Sequence, residues 1–195
     1  MLAVMSPGPD FILMLRNSVA YSRRTALFSA VGLGLGIATH VTYCLLGIAL
    51  VISKSILLFN VIKYFGAAYL LYIGIKSLLS KKSEHPEALE TRKQKDISPL
   101  QAIRQGYLTN VLNPKATLFF LAVFTQVISS GTPVVWKFAY GLEMVLATIV
   151  WFSVVAVFMT QARVQKKFMS IKHHIEHFFG AVLVALGLKV ALTTR

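Results

Sequence analysis

The stretch TALFSAVGLGLGIATHVTYCLLGIALVIS, residues 25–53, is 29 residues long and contains no Asp, Glu, Lys or Arg. A bilayer core about 30 Å thick needs roughly 20 apolar residues in a helix, so this stretch is long enough to span it. Two further uncharged stretches, 116–136 and 144–162, have 21 and 19 residues. Only 14% of the chain is charged and 56% is apolar, whereas soluble domains are about 25% charged. The sequence therefore predicts an all-α protein whose solvent is lipid.

Six transmembrane helices are predicted, which makes the chain a polytopic membrane protein. Two further spans are predicted in spite of lysines inside them: Lys63 and Lys76 lie near the ends of one, and Lys189 lies in the other. The first span is interrupted by Ser6-Pro7-Gly8-Pro9-Asp10. The predicted spans are approximately 1–20, 25–51, 56–79, 105–129, 134–161 and 175–193.

The basic residues predict the orientation of the chain. The sequence has 20 Lys and Arg against 7 Asp and Glu, a net charge of +13. Twelve of the 20 fall in the loops after the first, third and fifth predicted helices, and three fall on the opposite side. The positive-inside rule places those twelve in the cytoplasm, so that both termini face outward. Because topology accounts for the basic charge, we expect the lipid bilayer as a partner and no nucleic acid.

The chain divides into two halves of three predicted helices, 1–79 and 105–195, joined by a polar cytoplasmic linker over 80–104. Similar positions recur in the two halves: Phe65-Gly66-Ala67 with Phe179-Gly180-Ala181, and Pro9 with Pro114. An odd number of spans per half forces the halves into opposite orientations, which is the inverted-repeat plan of many secondary transporters. Chance similarity between glycine-rich apolar helices is the alternative.

Proline interrupts the first and fourth predicted helices. Because proline removes a backbone donor and restricts the residue before it, Pro7-Gly8-Pro9 should break the first helix. Asn113-Pro114 has the form of an N-cap followed by proline at the first helical position. Each break leaves free N–H groups and the positive end of a half-helix at membrane depth. Such backbone survives only against protein or a water-filled cavity, and paired breaks point to a transport site.

Charged residues follow both breaks, Asp10 after Pro9 and Lys115 after Pro114. A charge at bilayer depth costs at least about 2.5–3.5 kcal/mol, so such residues usually face a cavity and carry a function. Pairing of the two charges for structure alone is the alternative. The predicted substrate- or proton-binding residues are Gly8, Pro9, Asp10, His40, Asn113, Pro114, Lys115 and Glu143.

Four segments carry a family resemblance: Ser6-Pro7-Gly8-Pro9-Asp10, Leu35-Gly36, Gly66-Ala67-Ala68-Tyr69-Leu70 and Asn110-Val111-Leu112-Asn113-Pro114-Lys115-Ala116. Together they resemble the LysE/RhtB family of bacterial amino-acid exporters, and the opening resembles its threonine and homoserine branch. The resemblance implies a six-helix carrier in the bacterial inner membrane that exports small amino acids or their derivatives by proton antiport. Members usually have a longer apolar lead than Met1–Met5, so we expect a late-assigned start codon or a shortened first helix.

The resemblance also suggests how an amino acid would bind. The two half-helix N-termini and Lys115 suit its carboxylate, and Asp10 suits its ammonium or the coupling proton. A heavy-metal cation exporter is one alternative, because His40 and Cys44 lie four residues apart on one helix face. A membrane-embedded enzyme is another, because His173-His174-Ile175-Glu176-His177 matches the H-x-x-E-H zinc-protease pattern. With one cysteine and no third ligand apparent, we expect no metal, no cofactor and no enzymatic activity. A homo-oligomer is compatible with the sequence.

Overall fold

The computed structural model describes residues 8–54, 56–80, 95–127 and 133–192, and every regular element in these ranges is a helix. The helices are α1 (Pro9–Ala20), α2 (Arg23–Lys54), α3 (Ile56–Leu78), α4 (Pro99–Val111), α5 (Pro114–Val127), α6 (Val134–Met159) and α7 (Ala162–Leu192). Residues 1–7 of the predicted first helix and most of the predicted linker lie outside the described residues.

Helices of membrane-spanning length form most of this fold. Among the described residues, four helices are long and apolar enough to cross a bilayer: α2 over Arg23–Gly47, α3 over Asn60–Leu78, α6 over Val135–Met159 and α7 over Lys166–Leu192. The outer faces of these helices carry large exposed apolar side chains such as Phe65 and Phe138. A continuous apolar surface of this kind indicates contact with lipid. The protein is therefore an all-α polytopic membrane protein, as predicted.

Two predicted helices have different ends in the structure. The predicted span 105–129 consists of two helices, α4 and α5, because the chain breaks before Pro114 as the sequence indicates. α4 begins as early as Pro99, since Ser98 and Gln101 form a capping box with hydrogen bonds of 3.3 and 3.1 Å. α7 begins at Ala162 rather than near 175, because neither proline nor glycine interrupts the chain between those positions.

The end of the linker docks on the start of α2. One carboxylate oxygen of Asp96 accepts hydrogen bonds from the Ser22 N–H at 2.7 Å and from the Thr25 hydroxyl at 3.2 Å. A carboxylate in this position satisfies donors that a helix N-terminus otherwise leaves free. The hydrogen bonds from Ser22 hold the pKa of Asp96 below its usual range. The linker is thereby tied to the turn between α1 and α2.

Glycines allow two pairs of helices to approach closely. A Cβ on Gly106 of α4 would overlap the Ser29 carbonyl oxygen of α2, and one on Gly32 would overlap the Ile103 carbonyl oxygen. A Cβ on Gly74 of α3 would lie 2.8 Å from the Gly180 carbonyl oxygen of α7. Small residues at such crossings are typical of membrane helices that pack backbone to backbone.

The α3–α7 pair is antiparallel. Gly74 faces Gly180, while a Cβ on Gly187 would lie 3.1 Å from the Ala67 carbonyl oxygen, so positions rise along α3 as they fall along α7. An inverted repeat requires its third and sixth spans to run in opposite directions. The contact agrees with that plan, and the repeat itself stays a prediction.

The α2–α4 contact supplies a test of stability. We expect Gly106→Ala to destabilise the protein by about 1–3 kcal/mol, because the added methyl overlaps backbone that has no room to move. Gly47→Ala is the matched control, since no atom lies within 4 Å of its added Cβ. Thermal unfolding in detergent should show a lower Tm for the first variant alone. Equal Tm values would contradict the close α2–α4 contact.

Candidate functional site

Asp10 lies in the first turn of α1. The helix begins at Pro9 with Gly8 as its N-cap, and the Gly8 carbonyl accepts a hydrogen bond from the Ile12 N–H at 2.9 Å. No side chain caps this N-terminus. A helix start with free N–H groups favours negative charge nearby, which suits both the carboxylate of Asp10 and an anionic ligand.

Two asparagines hold the Asp10 carboxylate. The side-chain N–H of Asn110 donates to one oxygen at 2.8 Å, and the side-chain N–H of Asn113 donates to the other at 3.2 Å. Asn110 is fully buried and Asn113 is nearly so. Donors on both oxygens fix the orientation of the carboxylate and stabilise its ionised form. The two half-helix breaks are therefore joined directly through Asp10.

Asn113 has a second role at the start of α5. Its side-chain oxygen accepts a hydrogen bond from the Lys115 N–H at 3.0 Å, and its carbonyl accepts one from the Thr117 N–H at 3.1 Å. The predicted N-cap before Pro114 is thus present in the structure. The cap sets the direction in which Lys115 leaves the helix. Lys115 lines the same cavity as Asp10.

Asp10, Asn113 and Lys115 line a cavity of about 30 Å³. Its polar lining comes from the two half-helix starts, and its apolar wall comes from α2, α3, α5 and α7. The polar residues are Gly8, Asp10, Asn113 and Lys115; the wall includes Ile37, Tyr69, Ile73, Phe120 and Leu183. A cavity of this size holds one or two water molecules. A ligand as large as an amino acid therefore requires the cavity walls to part.

His40 contacts the chain break between α4 and α5. It is 1% exposed, and its Nε2 lies 3.1 Å from the Asn110 carbonyl oxygen at the end of α4. Its Nδ1 lies 2.6 Å from the Tyr43 hydroxyl, and its ring stacks on Phe120. The last carbonyls of a helix lack partners within the helix, and the His40 ring supplies a hydrogen-bond partner for the Asn110 carbonyl. The sequence predicted His40 as a site residue. In the structure it contacts Asn110, which in turn contacts Asp10.

Glu143 lies apart from this group. It is exposed on α6 and does not line the cavity, whereas the neighbouring Gly141 packs against Val41 of α2. Within the ranges that the structure covers, no three His, Cys, Asp or Glu side chains come close enough to hold a metal ion. The structure thus brings together Gly8, Asp10, Asn113 and Lys115, places Pro9 and Pro114 at the two helix starts, and leaves Glu143 outside.

Asn110 is the site residue that the sequence reasoning did not select. Besides donating to Asp10, it has a buried side-chain oxygen with no hydrogen-bond partner. Gly36 makes room for this side chain, because a Cβ there would lie 2.5 Å from that oxygen. The sequence does contain a signal for Asn110, because it is a polar residue three positions before Asn113 and so lies on the same side of the helix end.

A second buried polar cluster lies two helical turns along α1. The side-chain N–H group of Asn17, which is fully buried, donates to the Ser29 hydroxyl at 2.9 Å and to the Gln105 side-chain oxygen at 3.2 Å. Met14 and Leu33 lie near it in an apolar cluster of fully buried side chains. Buried hydrogen bonds between polar side chains thus also join α1, α2 and α4 beyond the cavity, on the linker side.

Comparison with known proteins identifies the family to which this chain belongs. Residues 1–194 match the sequence model of the family described as LysE type translocator. The uncharacterized membrane protein YrhP of Bacillus subtilis is 29% identical over 98% of this chain and 94% of its own length. Threonine efflux proteins of Salmonella typhi and Escherichia coli K12 are 27% and 26% identical, each over 98% of this chain and 93% of their own. No solved structure gives a significant match. Because the family match spans almost every residue, this chain belongs to the LysE family of translocators.

Proposed function

We propose that this protein is a secondary transporter that exports a small amino acid across the bacterial cytoplasmic membrane in exchange for protons. The observation that carries the proposal is that one carboxylate, Asp10, and one ammonium, Lys115, line the same cavity at the starts of two half-helices. An amino acid is a zwitterion, so its two charged groups match this pair of opposite charges. The family membership favours a transporter over an enzyme.

The substrate would bind with its carboxylate towards Lys115 and the free N–H groups of the two helix starts, which attract anions. Its ammonium would bind the Asp10 carboxylate, which Asn110 and Asn113 hold in place. Its side chain would then face the apolar wall formed by Ile73 and Leu183. Tyr69 lines the same cavity, and its hydroxyl would be the polar partner for a hydroxylated side chain.

Asp10 also supplies the coupling. A carboxylate that binds a proton no longer attracts an ammonium, so proton and substrate compete for the same group. Competition for one site in a carrier that opens alternately to the two sides produces exchange of one for the other. The cavity of about 30 Å³ is too small for an amino acid. Parting of the α1 and α5 starts would admit the amino acid.

Orientation follows from the basic loops. With the twelve Lys and Arg residues in the cytoplasm, the linker side of the cavity faces the cytoplasm and the substrate leaves in the opposite direction. The threonine efflux proteins among the relatives make threonine the first substrate to test.

Everted membrane vesicles from bacteria that express the protein test the proposal. We expect labelled threonine or homoserine to enter these vesicles when their interior is acidic, and uptake to stop when the proton gradient is collapsed. Vesicles without the protein are the control. Uptake of cadmium with no uptake of any small amino acid would replace this proposal with the metal-exporter alternative. Stoichiometric zinc in the purified protein would favour the enzyme alternative.

A further inference from the structure

The two amides that hold the Asp10 carboxylate differ in what their oxygens do. The Asn113 side-chain oxygen accepts a hydrogen bond from the Lys115 N–H at 3.0 Å, and this bond caps α5. The Asn110 side-chain oxygen is buried and has no hydrogen-bond partner among the described residues. A buried acceptor of this kind is uncommon in a folded protein and requires an explanation. Of the two amides, only that of Asn110 therefore has an acceptor available.

The backbone of Asn110 is held in place, whereas its side chain has room to turn. Its carbonyl oxygen accepts a hydrogen bond from the Asn113 N–H at 3.0 Å and lies 3.1 Å from His40 Nε2. Beside the amide lies Gly36, where a Cβ would be 2.5 Å from the Asn110 side-chain oxygen. An NH₂ group is about as large as an amide oxygen, so the space beside Gly36 accepts either one. The last torsion of asparagine is broad and roughly twofold, so a half-turn exchanges the two groups.

Protonation of Asp10 reverses what its carboxyl group needs from these partners. In the ionised form both oxygens accept, and Asn110 and Asn113 donate to them at 2.8 and 3.2 Å. When one oxygen takes up a proton, an O–H bond forms, the negative charge is lost and that oxygen becomes a donor. Opposite an N–H group the new donor would have no acceptor, and a buried donor without an acceptor is costly.

Asn110 can meet this changed need, and Asn113 cannot. A half-turn of the Asn113 amide would take its oxygen away from the Lys115 N–H and remove the N-cap of α5. A half-turn of the Asn110 amide would bring its oxygen to the position of the present nitrogen, 2.8 Å from the Asp10 oxygen. That separation is the usual one for an O–H···O hydrogen bond.

We propose that Asn110 holds Asp10 in both of its protonation states. Its NH₂ group donates to the carboxylate, and after a half-turn of the amide its oxygen accepts from the carboxyl O–H. The inference rests on the proposed function, in which Asp10 takes up the coupling proton. Asn110 is not among the described residues that line the cavity, so it is a positioning residue that acts through Asp10. The substrate-free carrier can then hold its proton without a buried unpaired donor.

The other titratable groups near this pair come from α2, α3 and α5. Both ring nitrogens of His40 already have a partner, the Asn110 carbonyl for one and the Tyr43 hydroxyl for the other. Lys115 and Tyr69 line the cavity, and α7 lines it with an apolar side chain. An ammonium cannot accept a hydrogen bond. The competing acceptors for the new O–H are therefore the Tyr69 hydroxyl and a water molecule in the cavity.

Infrared difference spectroscopy on the whole protein follows both partners during a pH titration. The chain has only four asparagines, so asparagine labelled with ¹³C at its side-chain carbonyl gives few labelled bands. On acidification we expect a carboxylic C=O band that Asp10→Leu lacks; leucine adds neither a carboxyl group nor a labelled asparagine. Over the same pH range the Asn110 band should shift to lower wavenumber, because a hydrogen bond weakens the C=O bond. Asn110→Leu identifies that band by its loss.

Asn113→Ser is the matched control, because serine also caps a helix and the substitution removes the other amide donor to Asp10. We expect the shift of the Asn110 band to persist in it. In proteoliposomes, Asn110→Leu should lower proton-driven efflux of labelled threonine by about 10-fold, since both protonation states of Asp10 lose a partner. The spectrum of the wild-type protein tests the inference even if this variant does not fold.

A carboxylic band from Asp10 with an unchanged Asn110 band would overturn the inference, because water or Tyr69 would then accept from the O–H group. A shift of the Asn110 band that persists in Asp10→Leu would also overturn it, since another group would then cause the shift. Absence of a carboxylic band from Asp10 at any pH would overturn both the inference and the coupling by Asp10. Both bands in a protein that transports no small amino acid would overturn the proposed function alone.

Discussion

Replacing Asp10 with asparagine is expected to abolish amino-acid export while leaving the protein in the membrane. Asparagine has nearly the same size but no charge for the substrate ammonium or the coupling proton. Its NH₂ group would also face one of the two amide donors, Asn110 or Asn113, that now hold the carboxylate. Loss of one partner of a buried charge pair costs about 2–5 kcal/mol, so both net efflux and exchange should fall by at least about 30-fold.

The control is another aspartate that accepts hydrogen bonds from two donors. Asp96 receives them from Ser22 and Thr25 at the start of α2, away from the cavity. Asp96→Asn keeps one acceptor oxygen, and we expect efflux close to wild type. The amount of protein in the membrane should be measured for both variants. Normal export by Asp10→Asn at normal abundance would exclude Asp10 from the transport site.

The features of the site that the sequence predicted are those encoded locally. The break before Pro114 and the N-cap by Asn113 depend on adjacent residues, and both are present. The helix start at Pro9 follows from the same local chemistry. The long apolar stretches likewise predicted α2, α3 and α6 closely, because each needs only its own length and composition to span a bilayer.

What the sequence did not predict depends on contacts between distant residues. Asn110 is one hundred positions from the carboxylate that it holds, and no local pattern marks that pairing. Glu143 is an ionisable residue in an apolar helix, as His40 is, yet the rotation of α6 exposes it. The packing of Ser80 against Glu176 likewise follows from the antiparallel α3–α7 contact. Periodicity alone does not fix which face of an almost uniformly apolar helix points inward.

Replacing Lys115 with glutamine is expected to reduce net efflux and exchange by about 100-fold, because the substrate carboxylate loses its cation. The backbone hydrogen bond from residue 115 to Asn113 does not involve the side chain, so α5 should keep its start. Thermal unfolding in detergent and the amount of protein in the membrane show whether the variant is folded, and wild-type transport by Lys115→Gln would contradict its role in binding.

The double variant Asp10→Asn/Lys115→Gln separates a transport site from a purely structural ion pair. Each single variant removes one of the two charges, and the double variant removes both. If the pair serves structure alone, removing both should restore stability and transport together, since a neutral pair is often as stable as a buried ion pair. For a transport site, stability should recover towards wild type while exchange of threonine remains absent, because neither charge of the zwitterion has a partner. Export by the double variant at the wild-type rate would therefore assign the two residues to folding and would move the substrate site elsewhere in the bundle.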